Sequence, residues 1–314
     1  LNRAYKQVVK NKGAAGIDGM ECEALSAHLR TNGAQLKESI RNQAYNPLPV
    51  KRVEIPKEDG SKRKLGIPTV TDRLIQQAVA QVLTPIYERI FHRNSYGFRS
   101  EKSAQQAVLK AIEYMNDGYN WVVDIDLEKF FDTVDHNKLI SILNKEIKDG
   151  KVLSLIRKFL VSGVMVGEHM EETEIGTPQG GNLSPLLANI ILNELDWELE
   201  KRKLKFVRYA DDCIILVRSQ KAAQRVMDSI AKYIESKLLL KVNRKKSKIG
   251  RPTEIKYLGF TFYNQFKVKK YKAKAHEKSV QKVVRKLKQL TSRRWGVSNS
   301  IKAQKITEML RGWI

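Results

Sequence analysis

Two acidic clusters hold the residues that are best suited to chemistry in this chain. The first contains Asp124 and Asp126 within a run of β-branched and aromatic residues, and the second is the adjacent pair Asp211 and Asp212. Carboxylates crowded at one point repel each other unless a divalent cation neutralises them, and Mg²⁺ prefers oxygen ligands. If the fold brings the two clusters together, they predict a site for metal ions and phosphoryl transfer.

The residues around these carboxylates predict the elements that position them. Asp124 and Asp126 alternate with apolar residues, so a strand over residues 122–127 would place both aspartates on one face. Apolar runs at residues 206–208 and 213–217 surround the second cluster, which predicts a tight hairpin with the acidic pair at its tip. Such a hairpin exposes two carboxylates on a rigid support.

The charge of the chain indicates a polyanionic partner. Among 314 residues there are 58 Lys and Arg against 34 Asp and Glu, which gives a formal charge of +24. Solubility needs a net charge of only roughly 2–8 in a small domain, so the excess favours nucleic acid as the partner. The hydrophobic fraction of 42% is sufficient for globular cores, and the length predicts two or three subdomains.

The sequence argues against membrane, disulfide and zinc proteins. No apolar stretch approaches the roughly 18 residues of a membrane span and no signal peptide opens the chain, which predicts a cytoplasmic protein without a membrane partner. The two cysteines, Cys22 and Cys213, and the five scattered histidines lack the spacing of metal ligands. Both ends fall inside helical patterns, which indicates a fragment of a longer protein.

A basic hairpin is predicted between residues 50 and 68. Prolines and a polar turn separate two short strands, and cations alternate along them with residues of buried type. These cations are Lys51, Arg52, Lys57, Lys62, Arg63 and Lys64. One face of the hairpin can therefore carry several charges toward phosphates, although lysines that protect an exposed edge strand would give the same pattern.

Further loops are candidates for ligand contact. Residues 94–100 pair aromatic residues with Arg99, a combination that suits either stacking on bases or simple packing. Residues 176–185 combine Pro, Gln and two adjacent glycines before a long helix, and glycines let the backbone approach a ligand closely. A basic loop at residues 241–248 and basic helical sequence at residues 267–294 predict other surfaces that face an anion.

In their order along the chain, these motifs resemble the reverse transcriptases encoded by bacterial group II introns, the intron maturases. The resemblance covers nearly the whole chain, and eight motifs in order are specific where any one is weak. The motifs are Gly16-Ile-Asp-Gly, Leu65-Gly-Ile-Pro, Asp72-Arg-Leu-Ile-Gln-Gln, Tyr96-Gly-Phe-Arg, the Asp126 segment, Thr177-Pro-Gln-Gly-Gly, Tyr209-Ala-Asp-Asp and Tyr257-Leu-Gly-Phe.

The resemblance implies an α+β fold, the right-hand polymerase fold. Its palm is an antiparallel sheet backed by helices, its fingers are rich in α-helix, and its thumb is missing or truncated in this chain. The implied boundaries are fingers with an N-terminal extension at residues 1–118 and a palm at residues 119–265, with finger elements around residues 150–180. A basic helical segment at residues 266–314 would lead into the truncated thumb.

The resemblance also implies roles for individual residues. Asp126, Asp211 and Asp212 match the catalytic aspartates, which with the backbone carbonyl of Leu127 would hold two Mg²⁺ ions, Mn²⁺ being a possible substitute. Phe131 matches the bulky residue that excludes a 2′-hydroxyl from the incoming sugar. The other residues implied to bind the nucleotide are Lys51, Lys57, Arg63, Gln179 and Lys246. The neighbouring Lys245 and Lys248 leave the register of Lys246 open. The implied primer grip is formed by Tyr257, Leu258 and Gly259, and the implied RNA contacts are Arg52, Lys62, Lys64 and Arg99.

The implied activity is DNA synthesis from dNTPs on an RNA template with a DNA primer, by two-metal nucleotidyl transfer. The same proteins bind their group II intron RNA and promote splicing and mobility. We expect weak synthesis from a chain that lacks most of a thumb, and apolar surface left exposed there could drive homodimer formation. Two alternatives stay open: an RNA-binding splicing cofactor with little or no polymerase activity, and an RNA-directed RNA polymerase, which the bulk of Phe131 disfavours.

Overall fold

The computed structural model describes residues 1–56, 60, 62–167, 169–172, 175–176, 180–265, 267–268 and 270–313. The helices of these residues are α1 (Asn2–Asn11), α2 (Leu25–Arg41), α3 (Val70–Glu88), α4 (Ala104–Asn116), α5 (Phe130–Thr133), α6 (His136–Glu146), α7 (Gly150–Leu160), α8 (Ser184–Lys201), α9 (Gln220–Tyr233), α10 (Glu277–Leu290) and α11 (Asn299–Trp313). The strands are β1 (Val50–Pro56), β2 (Lys62–Ile67), β3 (Trp121–Ile125), β4 (Val164–Val166), β5 (His169–Glu171), β6 (Lys205–Tyr209), β7 (Asp212–Val217), β8 (Lys248–Gly250), β9 (Lys256–Tyr257), β10 (Phe260–Gln265) and β11 (Lys270–Ala275). The expected α+β class is confirmed.

A four-stranded antiparallel sheet, in the order β6-β7-β3-β8, lies between two hydrophobic cores. Because side chains alternate along a strand, Ile215 of β7 lies in the core formed with α3, α6, α8 and α9, whereas Ile214 lies in the core formed with α4, β9 and β10. The sheet is therefore apolar on both faces, and its ends are left for polar residues.

The basic hairpin forms a second sheet, in the order β2-β1-β4-β5. β1 and β2 pair antiparallel as the sequence predicts, and Val50 and Lys51 of β1 pair in parallel with Val164 and Met165 of β4. Strands from residues 164–171 thus join the hairpin, although about a hundred residues separate them in the sequence. A separate small core is formed by α1, α2 and α3 and includes Ala4, Leu25 and Leu74.

A third sheet, in the order β11-β10-β9, precedes the two C-terminal helices. Its last strand corrects the expectation that the basic segment from residue 266 is helical, because β11 pairs with β10 and the helix α10 begins only at Glu277. Exposed lysines alternate along β11 with half-buried residues such as Tyr271 and Ala273. That period of two is typical of a strand with one packed face. None of the described helices has the length and apolar content that crossing a membrane requires.

Candidate active site

The second acidic cluster lies at the tip of a tight hairpin, as predicted. β6 ends at Tyr209 and β7 begins at Asp212, and these two residues pair, so that Ala210 and Asp211 form the turn. Ala210 has a φ of 55°, in the left-handed region that residues other than glycine seldom adopt. Asp211 and Asp212 are both exposed. The turn therefore presents two neighbouring carboxylates at one end of the sheet.

The first acidic cluster lies at the same end of the sheet. β3 ends at Ile125, which pairs with Cys213 of β7, so Asp126 follows the strand next to Asp212. Although Asp212 keeps exposed surface, neighbouring protein atoms partly desolvate its carboxylate. This desolvation, followed by repulsion from Asp211 and Asp126, raises the pKa of Asp212 to about 6. A carboxylate that is held close to other carboxylates in this way favours a neighbouring cation.

Asp124 lies one step further inside the sheet. It pairs with Ile214 on one side and with Lys248 on the other. Burial raises the pKa of Asp124 to about 6, while the charge of Lys248 opposes the shift and the carboxylates of Asp212 and Asp126 add to it. Lys248, one of the two neighbours that left the register of Lys246 open, is thus a lysine whose charge acts on Asp124, whereas Lys246 lies in the preceding turn.

The backbone around Asp126 is fixed by a loop from a distant part of the chain. Its N–H donates to Ser247 Oγ at 3.0 Å, and its carbonyl accepts from the Asn243 N–H at 2.9 Å. Leu127, whose carbonyl is an implied metal ligand, forms a bridge with Val242. The basic loop therefore supports the first aspartate, a role for Asn243 and Ser247 that no local sequence pattern predicts.

The oxygen donors of this site fit a hard divalent cation. Asp126, Asp211 and Asp212 offer carboxylate oxygens alone, and their mutual repulsion is the electrostatic condition that a divalent ion relieves. Among the residues described, however, no three His, Cys, Asp or Glu side chains form a ready-made metal site. The carboxylates lie at the same end of the sheet, but their oxygen atoms do not surround a common position.

Phe131 lies next to this acidic end, in the short helix α5 that follows Asp126. Its ring is half-buried and packs on the core formed with α3, α6, α8 and α9. The ring lies at 68° to that of Phe130, with 5.1 Å between the two centroids. The position is compatible with a ring beneath an incoming sugar.

The cations of the hairpin are divided between its two faces. Residues that pair across antiparallel strands lie on the same face, and the pairs are Lys51 with Ile67, Ile55 with Arg63, Arg52 with Gly66, Glu54 with Lys64 and Pro56 with Lys62. Lys51 and Arg63 therefore share one face, whereas Arg52, Lys62 and Lys64 share the other. One face thus carries three cations, in agreement with the expectation of several charges on one face, and the remaining two lie on the opposite face because adjacent residues of a strand point in opposite directions. Lys57 lies outside the described residues.

The described ends of the glycine-rich loop before α8 contact the segment before α6, the hairpin strand β2 and the helix α3. Gly176 donates its N–H to the Val134 carbonyl at 2.8 Å. A Cβ on Gly180 would lie 2.5 Å from the Gly66 carbonyl oxygen, so only glycine permits this approach to β2. Asn182 donates to Gln77 Oε1 of α3 at 3.0 Å. Gln179, the predicted nucleotide contact, lies outside the described residues between these attachments.

The predicted primer grip is a tight turn between β9 and β10. Tyr257 is buried and donates its hydroxyl to the Val207 carbonyl at 3.3 Å. Leu258 and Gly259 have φ values of 50° and 85°, which are typical of a two-residue hairpin turn. The Gly259 carbonyl accepts from the His276 N–H at 2.9 Å and so attaches the turn to the start of α10.

Arg99, expected to contact RNA, has a different environment. Its side chain is only 7% exposed and forms an ion pair with Glu88 at 2.8 Å. The guanidinium also donates to the carbonyls of His92 and Ser95 and lies over the Phe91 ring. Because the Arg99 guanidinium is already bonded within the protein, the structure favours packing over RNA contact as the role of residues 94–100.

An antiparallel sheet with carboxylates at one end, together with a basic hairpin, is the arrangement expected of the core of a right-hand nucleic-acid polymerase. Sequence comparison makes the class more specific. The chain belongs to the reverse transcriptase (RNA-dependent DNA polymerase) family, whose sequence profile matches residues 55–262. Proteins of this family generally use divalent metal ions.

Two curated relatives and one solved structure support this assignment. The chain is 32% identical over 311 residues to protein YkfC of Escherichia coli K12, with 86% of this chain and 80% of YkfC covered. It is 42% identical over 212 residues to the group II intron-encoded protein LtrA of Lactococcus lactis, with 67% of this chain and 35% of LtrA covered. This similarity confirms the resemblance that the motifs indicate. The apo telomerase of Candida tropicalis shares the fold, with a TM-score of 0.59 and 12% identity over 85% of this chain and 52% of the telomerase.

Proposed function

We propose that this chain is the RNA-dependent DNA polymerase core of a group II intron-encoded protein. The observation that carries the proposal is the hairpin that holds Asp211 and Asp212 beside Asp126 at one end of the palm sheet. The relative LtrA, named as a group II intron-encoded protein, supports the same assignment, although the chain spans only 35% of its length. On this basis the chain also binds its parent intron RNA and promotes splicing and mobility.

The acidic residues are proposed to hold two Mg²⁺ ions, for which Mn²⁺ could substitute. Asp126, Asp211 and Asp212 would bind them, with the carbonyl of Leu127 as a further ligand. Bound ions supply activation of the primer 3′-hydroxyl and neutralisation of the triphosphate and pyrophosphate. The carboxylate oxygens of the aspartates would keep these ions in position. Phe131 would pack under the sugar and leave no room for a 2′-hydroxyl.

The hairpin faces support two groups of contacts. Lys51 and Arg63, on one face, are proposed to contact the triphosphate of the dNTP. Arg52, Lys62 and Lys64, on the other, are proposed to contact the RNA, and Lys62 also forms an ion pair with Glu54. Lys57 and Gln179 are proposed nucleotide contacts from their motifs. Lys246, or its neighbour Lys248, would approach the pyrophosphate.

The remaining proposals concern larger units. The turn of Tyr257, Leu258 and Gly259 would support the primer end on the RNA template. Residues 1–118, 119–265 and 266–314 would act as fingers, palm and the start of a thumb. Homodimer formation is a further proposal, which light scattering at several protein concentrations would check. We place the protein in the cytoplasm, in keeping with its nucleic-acid partner.

Primer extension by one nucleotide tests the proposed activity without demanding processive synthesis. With an RNA template, a DNA primer, Mg²⁺ and the matching dNTP, the wild-type chain should extend the primer. Asp211→Asn should lower the rate by at least about 1,000-fold, because a metal ligand is lost, while RNA affinity stays within about twofold because cations elsewhere bind the backbone.

Asp228→Asn is the matched control, since Asp228 is an exposed carboxylate on α9. It should extend the primer like the wild type. Equal loss of synthesis and RNA binding in folded Asp211→Asn would contradict the separation of roles. A wild-type chain that binds RNA but never extends a primer would favour the splicing-cofactor function instead.

A further inference from the structure

Arg208 is completely buried directly behind the acidic turn. Its exposure is 0%, and so is that of its partner Asp196 on α8. Nε donates to Asp196 Oδ1 at 2.7 Å and Nη2 to Asp196 Oδ2 at 2.5 Å. The other N–H groups donate to Asn189 Oδ1 at 3.0 Å, to the Ala210 carbonyl at 2.8 Å and to Ser95 Oγ at 2.7 Å. All five donors of the guanidinium therefore have acceptors within the protein.

The hydrogen bond to Ala210 acts on the peptide that joins Ala210 to Asp211. The Ala210 carbonyl and the Asp211 amide belong to one planar unit, so a guanidinium that cannot move fixes the orientation of that plane. The plane in turn sets the direction in which the Asp211 side chain leaves the turn. Because Ala210 has a φ of 55°, the turn needs support from surrounding contacts, and Arg208 provides it from inside.

The same hydrogen-bond network also holds Tyr96 and Gly97, which pack against the turn of Ala210 and Asp211. Asn189, which accepts from Arg208, also donates to the Gly97 carbonyl at 2.8 Å. Gly97 lies so close to the turn that a Cβ on it would be 2.2 Å from the Ala210 nitrogen. The backbone of Arg208 pairs with this segment as well, since its carbonyl accepts from the Tyr96 N–H at 2.8 Å. The turn is thus enclosed between two parts of one hydrogen-bond network.

Stability alone does not account for this ion pair. Removing two charges from water offsets most of their attraction, and well-packed apolar residues of similar volume are often equally stable. An apolar residue at position 208, however, could not donate to the Ala210 carbonyl. Since Arg208 has no exposed surface, it cannot contact a nucleotide or a metal ion either.

We propose that Arg208, held by Asp196, Asn189 and Ser95, is a positioning residue that orients Asp211 for metal binding. The inference rests on the proposed polymerase function for its kinetic consequence. Its structural consequence, tighter binding of a divalent ion, holds whether or not a nucleotide is incorporated. These two consequences can be measured separately.

The test uses R208K, the apolar double variant R208M/D196L and the control R202M. Arg202 lies at the end of the helix that carries Asp196, where it forms a partly exposed ion pair with Glu198 at 2.7 Å. For each protein, thermal unfolding and primer-template affinity are measured first. The rate of single-nucleotide incorporation is then followed against Mg²⁺ concentration, and Mn²⁺ binding is titrated by electron paramagnetic resonance.

Folded R208K and R208M/D196L should bind primer-template like the wild type, within about twofold. Their incorporation rate at saturating dNTP should fall about 100-fold, as expected for a misplacement of about 1 Å. The half-saturating concentrations of Mg²⁺ and Mn²⁺ should rise about tenfold, since loss of a group that orients a metal ligand typically costs 10–100-fold. R202M should match the wild type in every measurement.

If R208K does not fold, the double variant R208M/D196L provides the test, because removing both partners leaves no unpaired buried charge. A folded R208M/D196L with wild-type metal affinity would overturn the proposal, and failure of both variants to fold would also overturn it by assigning the pair to stability alone. Absence of synthesis by the wild-type chain would count against the polymerase function. The Mn²⁺ titration would still confirm or overturn the positioning role.

Discussion

The size of Phe131 is expected to decide which sugar the site accepts. Its half-buried ring is packed against Phe130 and the hydrophobic core, and these contacts limit its side-chain conformations. Phe131→Ala should therefore raise the incorporation of a ribonucleotide relative to its deoxynucleotide by about 100-fold, the scale set by filling or emptying a small pocket. The measurement is the ratio of kcat/KM for CTP and dCTP. An unchanged ratio in a folded variant would remove Phe131 from the sugar pocket.

Ser247 offers a second prediction at the scale of one residue. Ser247→Ala leaves the Asp126 N–H without its acceptor, which costs about 1 kcal/mol and loosens the first aspartate. We expect a fall of about 5–10-fold in the single-turnover rate with little change in the KM for dNTP. Ser229→Ala, at an exposed serine of α9, is the control and should leave the rate unchanged. A rate equal to wild type in Ser247→Ala would show that the Asn243 contact is sufficient.

The aspartates could be predicted from the sequence, whereas the residues that hold them could not. Asp126, Asp211 and Asp212 combine a charged side chain with apolar flanking residues, and that contrast is visible locally. Ser247 has no such local contrast. Its partner Asp126 lies 121 residues away, so only the fold brings the two residues together. Arg208 carries a charge in an apolar strand, a signal that could have been noticed, but its acceptors come from three separate segments.

At the scale of elements, the acidic hairpin depends on close packing against the segment of Gly97. Gly97→Ala would place its Cβ 2.2 Å from the Ala210 nitrogen, so either the hairpin or the covering segment must shift. We expect a loss of about 1–3 kcal/mol in the free energy of unfolding, together with reduced incorporation. Gly33→Ala is the matched control, because Gly33 lies in α2 with its nearest neighbour 3.9 Å from the new Cβ. That variant should gain about 1 kcal/mol. Chemical denaturation measures the free energy of unfolding of both variants, and the comparison requires that their m-values equal that of the wild type.

Elements with a clear local period were predicted correctly, and those that depend on distant partners were not. The hairpins of β1 with β2 and of β6 with β7 follow from turn residues between apolar strands. The parallel pairing of β1 with β4 has no local signal, since neither strand specifies its partner. β11 was expected to be helical because its many lysines obscure the alternation that only packing beside β10 makes visible.

At the scale of the whole molecule, net charge and motif order were sufficient to predict the family but not the path of the nucleic acid. The charge of +24 predicts binding to a polyanion and is silent on where the polyanion lies. At the hairpin, the fold separates Lys51 and Arg63 on one face from Arg52, Lys62 and Lys64 on the other, which allows the proposed contacts of each face to be tested. Each group can therefore be removed without the other.

The salt dependence of template binding tests this division. If the proposed contacts are made, replacing Arg52, Lys62 and Lys64 together by Gln removes three phosphate contacts, and the slope of log K against log salt concentration should become shallower by about 2–3. Replacing Lys221, Lys232 and Lys237, three exposed lysines beyond the palm sheet, changes the net charge equally and should leave the slope unchanged. Fluorescence anisotropy of a labelled RNA-DNA duplex at several salt concentrations gives both slopes. Equal changes in the two variants would mean that overall charge, rather than this face of the hairpin, governs template binding.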